Sequence, residues 1–253
     1  MIGAMHISDE TIAAVDEVLS TTRSVRRRLD LDRPVADQVL FDCIDLAEQA
    51  PTGGNQSTRR WLVVRDPARK QALADLYRRA GGEWMIAQRD ALAGTGHHNE
   101  KVMASAAHLA EHLQDVPAIV LVAIWGEHDG SGRPGLFDSV IQAAWSFCLA
   151  LRARGLGSAW TTLHLNEADA VRDLVGMPPG LTQIVLLPVA YTEGTDFRLA
   201  PRVSSRAITY VDRWGDTRAG NADGPLTFSA GPGVTVEVEI DAKPRAIWPL
   251  ISD

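Results

Sequence analysis

The pattern of apolar and polar residues predicts a chain in which helices outnumber strands. Ser8 is a candidate N-cap for a first helix over residues 7–20, where Ile12, Val15 and Leu19 recur at helical spacing. Further helices are predicted over residues 35–50, 67–79, 98–112, 137–152 and 167–175. Strands are predicted over residues 61–64, 118–125 and 182–191. The run at 118–125 is continuously apolar, which is typical of a strand covered on both faces.

Two other parts of the chain fall outside this pattern. Residues 81–96 show no clear period and are interpreted as a variable segment. From 215 to 233 the composition shifts to glycine, proline and small polar residues, which is typical of a linker. Residues 234–240 then alternate with period 2, as in a strand with one buried face. We therefore predict one domain over 1–214, a linker over 215–233, and the start of a second domain over 234–253.

Composition and charge narrow the classes of partner. The formal net charge of −7 argues against binding to nucleic acid or to an anionic membrane surface. No apolar run approaches the ~18–20 residues needed to span a bilayer, and no signal-peptide pattern is evident. Cys43 and Cys148 both lie in helical patterns with apolar neighbours, which favours two buried thiols over a disulfide. We expect a cytoplasmic protein with no nucleic-acid or membrane partner.

The first segment with candidate chemistry is basic and follows the first helix. It contains Arg23, Ser24 and Arg26. Guanidinium groups form charge-assisted hydrogen bonds to phosphate, each contributing about 1.5–3 kcal/mol when well placed. A serine hydroxyl can add a further bond to the same ligand. The alternative is a solvated basic turn, because runs of charge are common at protein surfaces.

The second segment is a loop after the second helix, in which Pro51 and Thr52 precede Gly53, Gly54 and Asn55. Two glycines allow the backbone to approach a flat ligand closely. The Asn55 side chain offers both a donor and an acceptor to the edge of such a ligand. The alternative is a loop that only ends the helix.

Two later segments complete the candidate chemistry. Residues 155–157 read Gly-Leu-Gly and are followed by Thr161, Thr162 and Leu163. Backbone N–H groups there can meet a ligand, and the alternative is a helix cap followed by a connecting strand. The fourth segment places Arg206 far along the chain, and taken alone it indicates no function.

Taken in this order, the four segments resemble the nitroreductase family of FMN-dependent oxidoreductases over residues 7–214. That family has an Arg-Ser-x-Arg-like segment after the first helix and a Pro-Ser/Thr-x-x-Asn loop after the second. A Gly-Leu-Gly segment and a late arginine follow. The resemblance implies an α+β fold, with helices packed around a small, mainly antiparallel sheet. It also implies an intertwined homodimer that binds FMN between its two copies.

The resemblance assigns ten cofactor-binding residues in three groups. The phosphate and ribityl chain of FMN would be held by Arg23, Ser24, Arg26 and Arg206. The flavin of the partner copy would be reached by Pro51, Thr52 and Asn55. The reactive N5 edge would be contacted, largely through backbone atoms, by Thr161, Thr162 and Leu163. Because the flavin carries the chemistry in this family, no catalytic acid or base is expected.

The resemblance also implies the reaction. Hydride would pass from NAD(P)H to flavin N5, and a nitro, quinone or enone-like electrophile would then be reduced in a ping-pong order. Two other functions remain open: a flavin- or deazaflavin-binding protein with little turnover, and a specialised biosynthetic flavin oxidase or dehydrogenase. The family's usual glutamine and tryptophan in the glycine loop are replaced by Ser57 and Arg59. We expect this new charge near the isoalloxazine to change substrate choice, flavin potential or flavin binding.

The C-terminal residues 236–253 are similar to the opening strand and helix of a START-like (SRPBCC) ligand-binding domain. This similarity implies that the chain is a truncated part of a longer fusion. The alternative is a C-terminal arm of the flavin domain.

Some other side chains are less promising. His164 is a candidate substrate contact, and the alternative is that it does not reach the ligand. His108 and His112 have i, i+4 spacing without a third metal ligand at a recognisable spacing, which favours a solvated helix face. Cys148 as a nucleophile would need a nearby base.

Overall fold

The computed structural model describes residues 7–127, 137–200, 202 and 208–214. The chain forms two compact units, Met1–Leu199 and Ala200–Asp253. All helices and strands of the described residues lie in the first unit. The helices are α1 (Asp9–Thr21), α2 (Asp37–Ala47), α3 (Pro67–Tyr77), α4 (Glu83–Leu92), α5 (Glu100–His112), α6 (Phe137–Arg152) and α7 (Ala168–Val175). The strands are β1 (Arg59–Val64), β2 (Ala118–Trp125), β3 (Leu156–Ser158) and β4 (Leu181–Tyr191).

The four strands form one sheet in the order β1-β2-β4-β3, and every neighbouring pair is antiparallel. Leu121 in the middle of β2 lies opposite Leu62 on one side and Leu186 on the other. The register with β4 shifts between Val122 and Ala123. The predicted small antiparallel sheet surrounded by helices is confirmed, and so is the α+β class.

Both faces of β2 are covered, which explains its uninterrupted apolar sequence. Val120 and Val122 belong to a core that includes residues of α2 and α6. Ile119 and Leu121 face the opposite core, which is formed with α3, α5 and α7. Since successive side chains of a strand point to opposite faces, the two cores lie on either side of the sheet. The predictions for β2 and for the buried helix α6 are confirmed to the residue.

Three neighbouring helices carry apolar side chains that remain exposed. Ser8 caps α1 by accepting a hydrogen bond from the Thr11 N–H at 3.2 Å, yet no residue of α1 is buried. α1 packs against α6, and α6 packs against α2. The exposed apolar side chains of the three helices are Ile12, Val15, Leu19, Phe41, Leu46, Ile141 and Trp145. Exposed apolar side chains concentrated on neighbouring helices are a candidate interaction surface.

The segment at 81–96, for which the sequence predicted no helix or strand, contains the helix α4. The helix follows α3 after a π-helical turn, Arg78–Gly82, in which Gly81 has φ 149°. The apolar residues of α4 stand in two groups, at 84–87 and 91–92, and do not recur singly every three or four positions, so its sequence shows little of the period on which a prediction depends. Its packing partner is α5, to which Arg89 is joined by an ion pair with Glu111 at 2.7 Å.

The predicted linker at 215–233 and the START-like start at 234–253 lie outside the described residues. In the described part of the second unit, the rings of Tyr210 and Trp214 lie 4.5 Å apart between centroids. Within the part of the chain that the structure describes, no helix combines the length and apolar character required to cross a bilayer.

Candidate functional site

The first and third predicted segments lie side by side. Ser24 forms a parallel bridge with Ser158, and the Val25 N–H donates to the Ser158 carbonyl at 2.8 Å. Gly157 permits this approach, because a Cβ there would lie 2.7 Å from Thr192 Cγ2 and 3.0 Å from Val25 Cβ. Backbone pairing at the end of β3 therefore fixes the segment that carries the predicted phosphate ligands.

Two buried donors beside this pairing have no hydrogen-bond partner among the described residues. They are Arg23 Nε and Ser158 Oγ. Both residues line a cavity of about 40 Å³, and Ser24 lines the same cavity. A buried donor left unsatisfied costs about 1–3 kcal/mol, so an oxygen-rich ligand at this position would relieve both groups. The donor set fits the phosphate or ribityl oxygens of FMN.

The buried hydroxyl of Tyr77 joins α3 to the third segment, with its oxygen 3.0 Å from Thr161 Oγ1. Burial raises the pKa of Tyr77, while the hydrogen bond with Thr161 and the charge of Arg26 act in the opposite direction. Thr161 and Arg26, two predicted site residues from distant parts of the chain, therefore both interact with the Tyr77 hydroxyl. Sequence reasoning missed Tyr77, because its position in the α3 pattern indicates only a core residue.

The backbone of Thr161 is already paired. Its N–H donates to the Leu186 carbonyl at 3.2 Å, and the Leu186 N–H donates to the Thr161 carbonyl at 2.9 Å. Thr162 is exposed, and Leu163 is half-buried against Gly81, where a Cβ would lie 2.8 Å from Leu163 Cδ1. The expected backbone contact of this segment with a flavin stays a prediction, and Thr162 and Leu163 are its more open positions.

The glycine loop after α2 does not line the cavity that contains Arg23 and Ser24. Pro51 and Asn55 are exposed and Thr52 is half-buried. The loop contains a 3-10 turn over Gly53–Asn55, as expected for a sequence that cannot remain helical. Within one copy, its side chains are therefore open to a second molecule.

Arg59, which replaces the family's usual tryptophan, is turned inward. Its Nη2 donates to the carbonyls of Glu48 at 3.3 Å and Ala50 at 3.0 Å. Its side chain is nearly inaccessible to solvent. The expectation of a charge placed near the isoalloxazine is not supported by this geometry, because the guanidinium donates hydrogen bonds to backbone carbonyls at the end of α2.

The remaining predicted ligand, Arg206, lies outside the described residues. A larger cavity of about 490 Å³ borders β1 and includes Asp37, Arg65 and Arg69. None of the predicted site residues lines it, and we therefore do not assign the flavin site to this cavity in spite of its larger size.

His164 cannot contact a substrate in this conformation, since it is fully buried. Burial lowers its pKa to about 4, and neither ring nitrogen has a partner among the described residues. Burial also raises the pKa of the Cys148 thiol to about 12, which does not suit a nucleophile. The rings of His108 and His112 lie 4.6 Å apart, and the described residues contain no group of three or more candidate metal ligands.

The comparison with protein families agrees with this arrangement. The family model described as "Nitroreductase family" matches residues 19–191, which include α1 from Leu19 onward and all four strands. The chain belongs to the nitroreductase family. The expected membership is therefore confirmed, on a match that covers more than half of the sequence.

Among curated relatives, iodotyrosine deiodinase of Drosophila melanogaster is 26% identical in an alignment of 190 positions that covers 69% of this chain. The matched part spans 61% of the length of that relative. The family resemblance therefore extends beyond short motifs, although the relative contains sequence that this chain does not match.

Solved structures of the family show the same fold. An oxidised iodotyrosine deiodinase bound to FMN and 3-iodo-L-tyrosine superposes with a TM-score of 0.59 and 22% identity, covering 79% of this chain and 98% of that chain. An NADPH:FMN oxidoreductase from Vibrio harveyi complexed with NAD+ has a TM-score of 0.59 and 14% identity, covering 81% of this chain and 80% of that chain. At these identities the likeness shows the fold alone.

Proposed function

We propose that this chain is an FMN-dependent oxidoreductase that uses NAD(P)H to reduce a small electrophile of the nitro, quinone or enone type. The observation that carries the proposal is the pairing of Ser24 with Ser158 beside two unpartnered buried donors, Arg23 Nε and Ser158 Oγ. Membership of the nitroreductase family supports the same cofactor.

In this proposal the phosphate end of FMN binds at the first segment. Arg23 and Ser24 supply a guanidinium and a hydroxyl, and Arg26 adds a second positive charge. Arg206, which lies outside the described residues, is proposed as a further phosphate ligand from the sequence alone. Planar guanidinium groups suit phosphate, because they donate two parallel hydrogen bonds to its oxygens. The exposed Thr162 and the half-buried Leu163, next to Thr161, would border the reactive edge of the flavin.

The proposed site needs a second copy of the chain. The cavity at Arg23 and Ser24 has a volume of about 40 Å³, whereas ligand sites are typically about 300–1,000 Å³. The exposed apolar side chains of α1, α2 and α6 are available to pack against another copy. In the resulting homodimer, Pro51, Thr52 and Asn55 of one copy would contact the flavin held by its partner.

Bound FMN would supply the redox chemistry, accepting hydride from the nicotinamide and delivering electrons to the acceptor. The protein would bind the phosphate, orient the ring and exclude water, and it would need no acid–base residue. A cytoplasmic location is also proposed. The two unpaired cysteines, Cys43 and Cys148, support it, because free thiols persist in reducing compartments.

The test is anaerobic stopped-flow mixing of the FMN-loaded protein with NADPH or NADH. The proposal predicts bleaching of the visible flavin band, followed by its recovery when a nitroaromatic, quinone or enone is added. Flavin that binds tightly but is reduced by neither nucleotide would instead support a binding protein with little turnover.

A second candidate is the reductive dehalogenation of an iodinated aromatic, because the curated relative at 26% identity is an iodotyrosine deiodinase. Chemically reduced enzyme distinguishes the two. Reoxidation by 3-iodo-L-tyrosine with release of iodide would favour dehalogenation. Reoxidation by nitroaromatics or quinones alone would favour the first proposal.

A further inference from the structure

A buried arginine lies beneath the loop 51–55. Arg59 begins β1 and is only 5% exposed. Its Nη2 donates to the carbonyls of Glu48 and Ala50, at 3.3 and 3.0 Å, and its Nη1 donates to the Ser139 carbonyl at 3.5 Å. One guanidinium therefore bonds to the backbone at the end of α2, immediately before the loop, and also to the first turn of α6.

The same turn of α6 also holds the loop directly. The buried Ser139 Oγ accepts a hydrogen bond from the Gly53 N–H at 2.9 Å. Gly53 begins the 3-10 turn in which Gly54 and Asn55 both take left-handed φ values, 61° and 54°. Ser139 thus bonds both to Arg59 and to the turn that presents Asn55.

The charge of Arg59 faces the partly exposed carboxylate of Glu48, although Arg59 Nε makes no hydrogen bond among the described residues. Glu48 Oε2 lies 3.4 Å from Arg59 Nε, and Glu48 Oε1 accepts a hydrogen bond from Trp61 Nε1 at 2.8 Å. The carbonyls at the C-terminal end of α2 add a partial negative charge. The guanidinium therefore has both an ionic and a backbone reason to remain buried, and it presents no charge to the outer side of the loop.

We propose that Arg59 is a positioning residue that acts with Ser139 to hold the loop 51–55 in the conformation that contacts flavin. It acts on the cofactor through the backbone of Ala50 and Gly53, and it does not touch the ring. This inference rests on the proposed function, since the loop is a flavin contact only if the chain binds FMN. It replaces the expectation that Arg59 tunes the flavin by placing a charge beside it.

The first measurement needs no flavin. The rate of hydrogen–deuterium exchange at the Gly53 amide in the full wild-type chain is compared with the rate in the full chain carrying Arg59→Lys or Ser139→Ala. Lysine keeps the charge but cannot reach several acceptors in one plane, and alanine removes the acceptor of the Gly53 N–H. We expect at least tenfold faster exchange in both variants. Unchanged exchange in both would overturn the anchoring role.

The matched control is Arg65→Lys. Arg65 follows the other end of β1, and its Nε lies 2.7 Å from Asp37 Oδ1. The substitution makes the same change in side chain without touching the loop, so Gly53 exchange should stay at the wild-type rate. Equal acceleration in the control would mean that general loosening of β1, and not the anchor, exposes the loop.

The second measurement is FMN affinity by fluorescence titration, with the midpoint potential of the bound flavin. Arg59→Lys and Ser139→Ala should each raise the Kd at least fivefold and leave the potential unchanged. The double variant should be no weaker than the weaker single variant, because both changes release the same loop. Unchanged affinity in variants with faster exchange would overturn the role in flavin binding. A shifted potential at unchanged affinity would show that the charge acts directly.

The two failures are distinguishable. A wild-type protein that takes up no FMN overturns the proposed function and, with it, the flavin role of Arg59, while the exchange data still decide whether Arg59 anchors the loop. If circular dichroism shows that Arg59→Lys does not fold, Arg59→Gln takes its place in both measurements.

Discussion

The Tyr77 hydroxyl lies 3.0 Å from Thr161 Oγ1, and this buried hydrogen bond joins α3 to the segment that follows β3. Tyr77→Phe should destabilise the protein by about 1–3 kcal/mol, because it leaves the Thr161 hydroxyl buried without a partner. Urea unfolding measures this change. Adding Thr161→Val should restore part of the loss, since no polar group is then left unpaired. Strictly additive losses would show that the two groups do not depend on each other.

His164 should make stability depend on pH. Its pKa is about 4 in the folded protein, compared with 6.5 as its ordinary value, so the fold favours the neutral ring. The contribution of the neutral His164 ring to the free energy of unfolding is fully present above pH 6.5. It is lost as the pH falls from 6.5 towards 4, and the total loss is about 3 kcal/mol. Below that range the ring is protonated in both states and the loss levels off.

The variant His164→Leu should flatten the pH dependence of unfolding between 6.5 and 4, measured by urea titration at several pH values. Stability at neutral pH should be retained, because the substitution removes two buried nitrogens that have no partner among the described residues. His97→Gln, at an exposed loop position, should keep the wild-type slope. An equally steep slope in His164→Leu would assign the effect to another group.

Gly157 should tolerate no larger side chain. In Gly157→Ala the new Cβ would lie 2.7 Å from Thr192 Cγ2 and 3.0 Å from Val25 Cβ, so the neighbouring segment that carries Ser24 and Val25 must move. We expect a loss of about 1–3 kcal/mol in thermal or urea unfolding. Adding Thr192→Ser removes the clashing methyl group and keeps the hydroxyl, and it should recover part of the loss. A double variant as unstable as the single one would contradict this explanation.

The exposed apolar side of α1 should be a contact between copies. Leu19 is 51% exposed, and a lysine there would place a charge in the proposed interface. Leu19→Lys should shift the protein from dimer to monomer in light scattering coupled to size exclusion. Glu17→Lys introduces the same side chain at an exposed polar position of the same helix and should remain dimeric. A monomeric wild type, or a dimeric Leu19→Lys, would contradict the proposal.

The sequence predicted those elements in which the apolar residues form a recognisable pattern. β2 and α6 were placed to the residue, because apolar residues fill both faces of the strand and one broad face of the helix. α4 was missed, since its apolar residues stand in two groups, at 84–87 and 91–92, and do not recur singly at helical spacing. Local periodicity has no signal for such a helix.

The site was predictable to a smaller extent for a related reason. Motif order predicted that Ser24 and the residues after the Gly-Leu-Gly segment belong to one cofactor site, and the structure pairs Ser24 with Ser158. The bond between Tyr77 and Thr161 and the inward turn of Arg59 both depend on which distant groups the fold brings together. A single position in a sequence does not report such a partner, so the expectation of a charge near the isoalloxazine did not include the bonds of Arg59 to backbone carbonyls.

The central claim is that FMN binds at the Arg23–Ser24 segment, and a fluorescence titration of the purified chain with FMN tests it most directly. We predict one FMN per chain, with affinity at least tenfold weaker, or about 1.4 kcal/mol, in Arg23→Ala, Arg26→Ala and Arg206→Ala. Arg27→Ala removes an exposed neighbouring charge that is not a predicted ligand and should bind like the wild type. No FMN uptake by the wild type, or equal affinity in all four variants, would contradict the account.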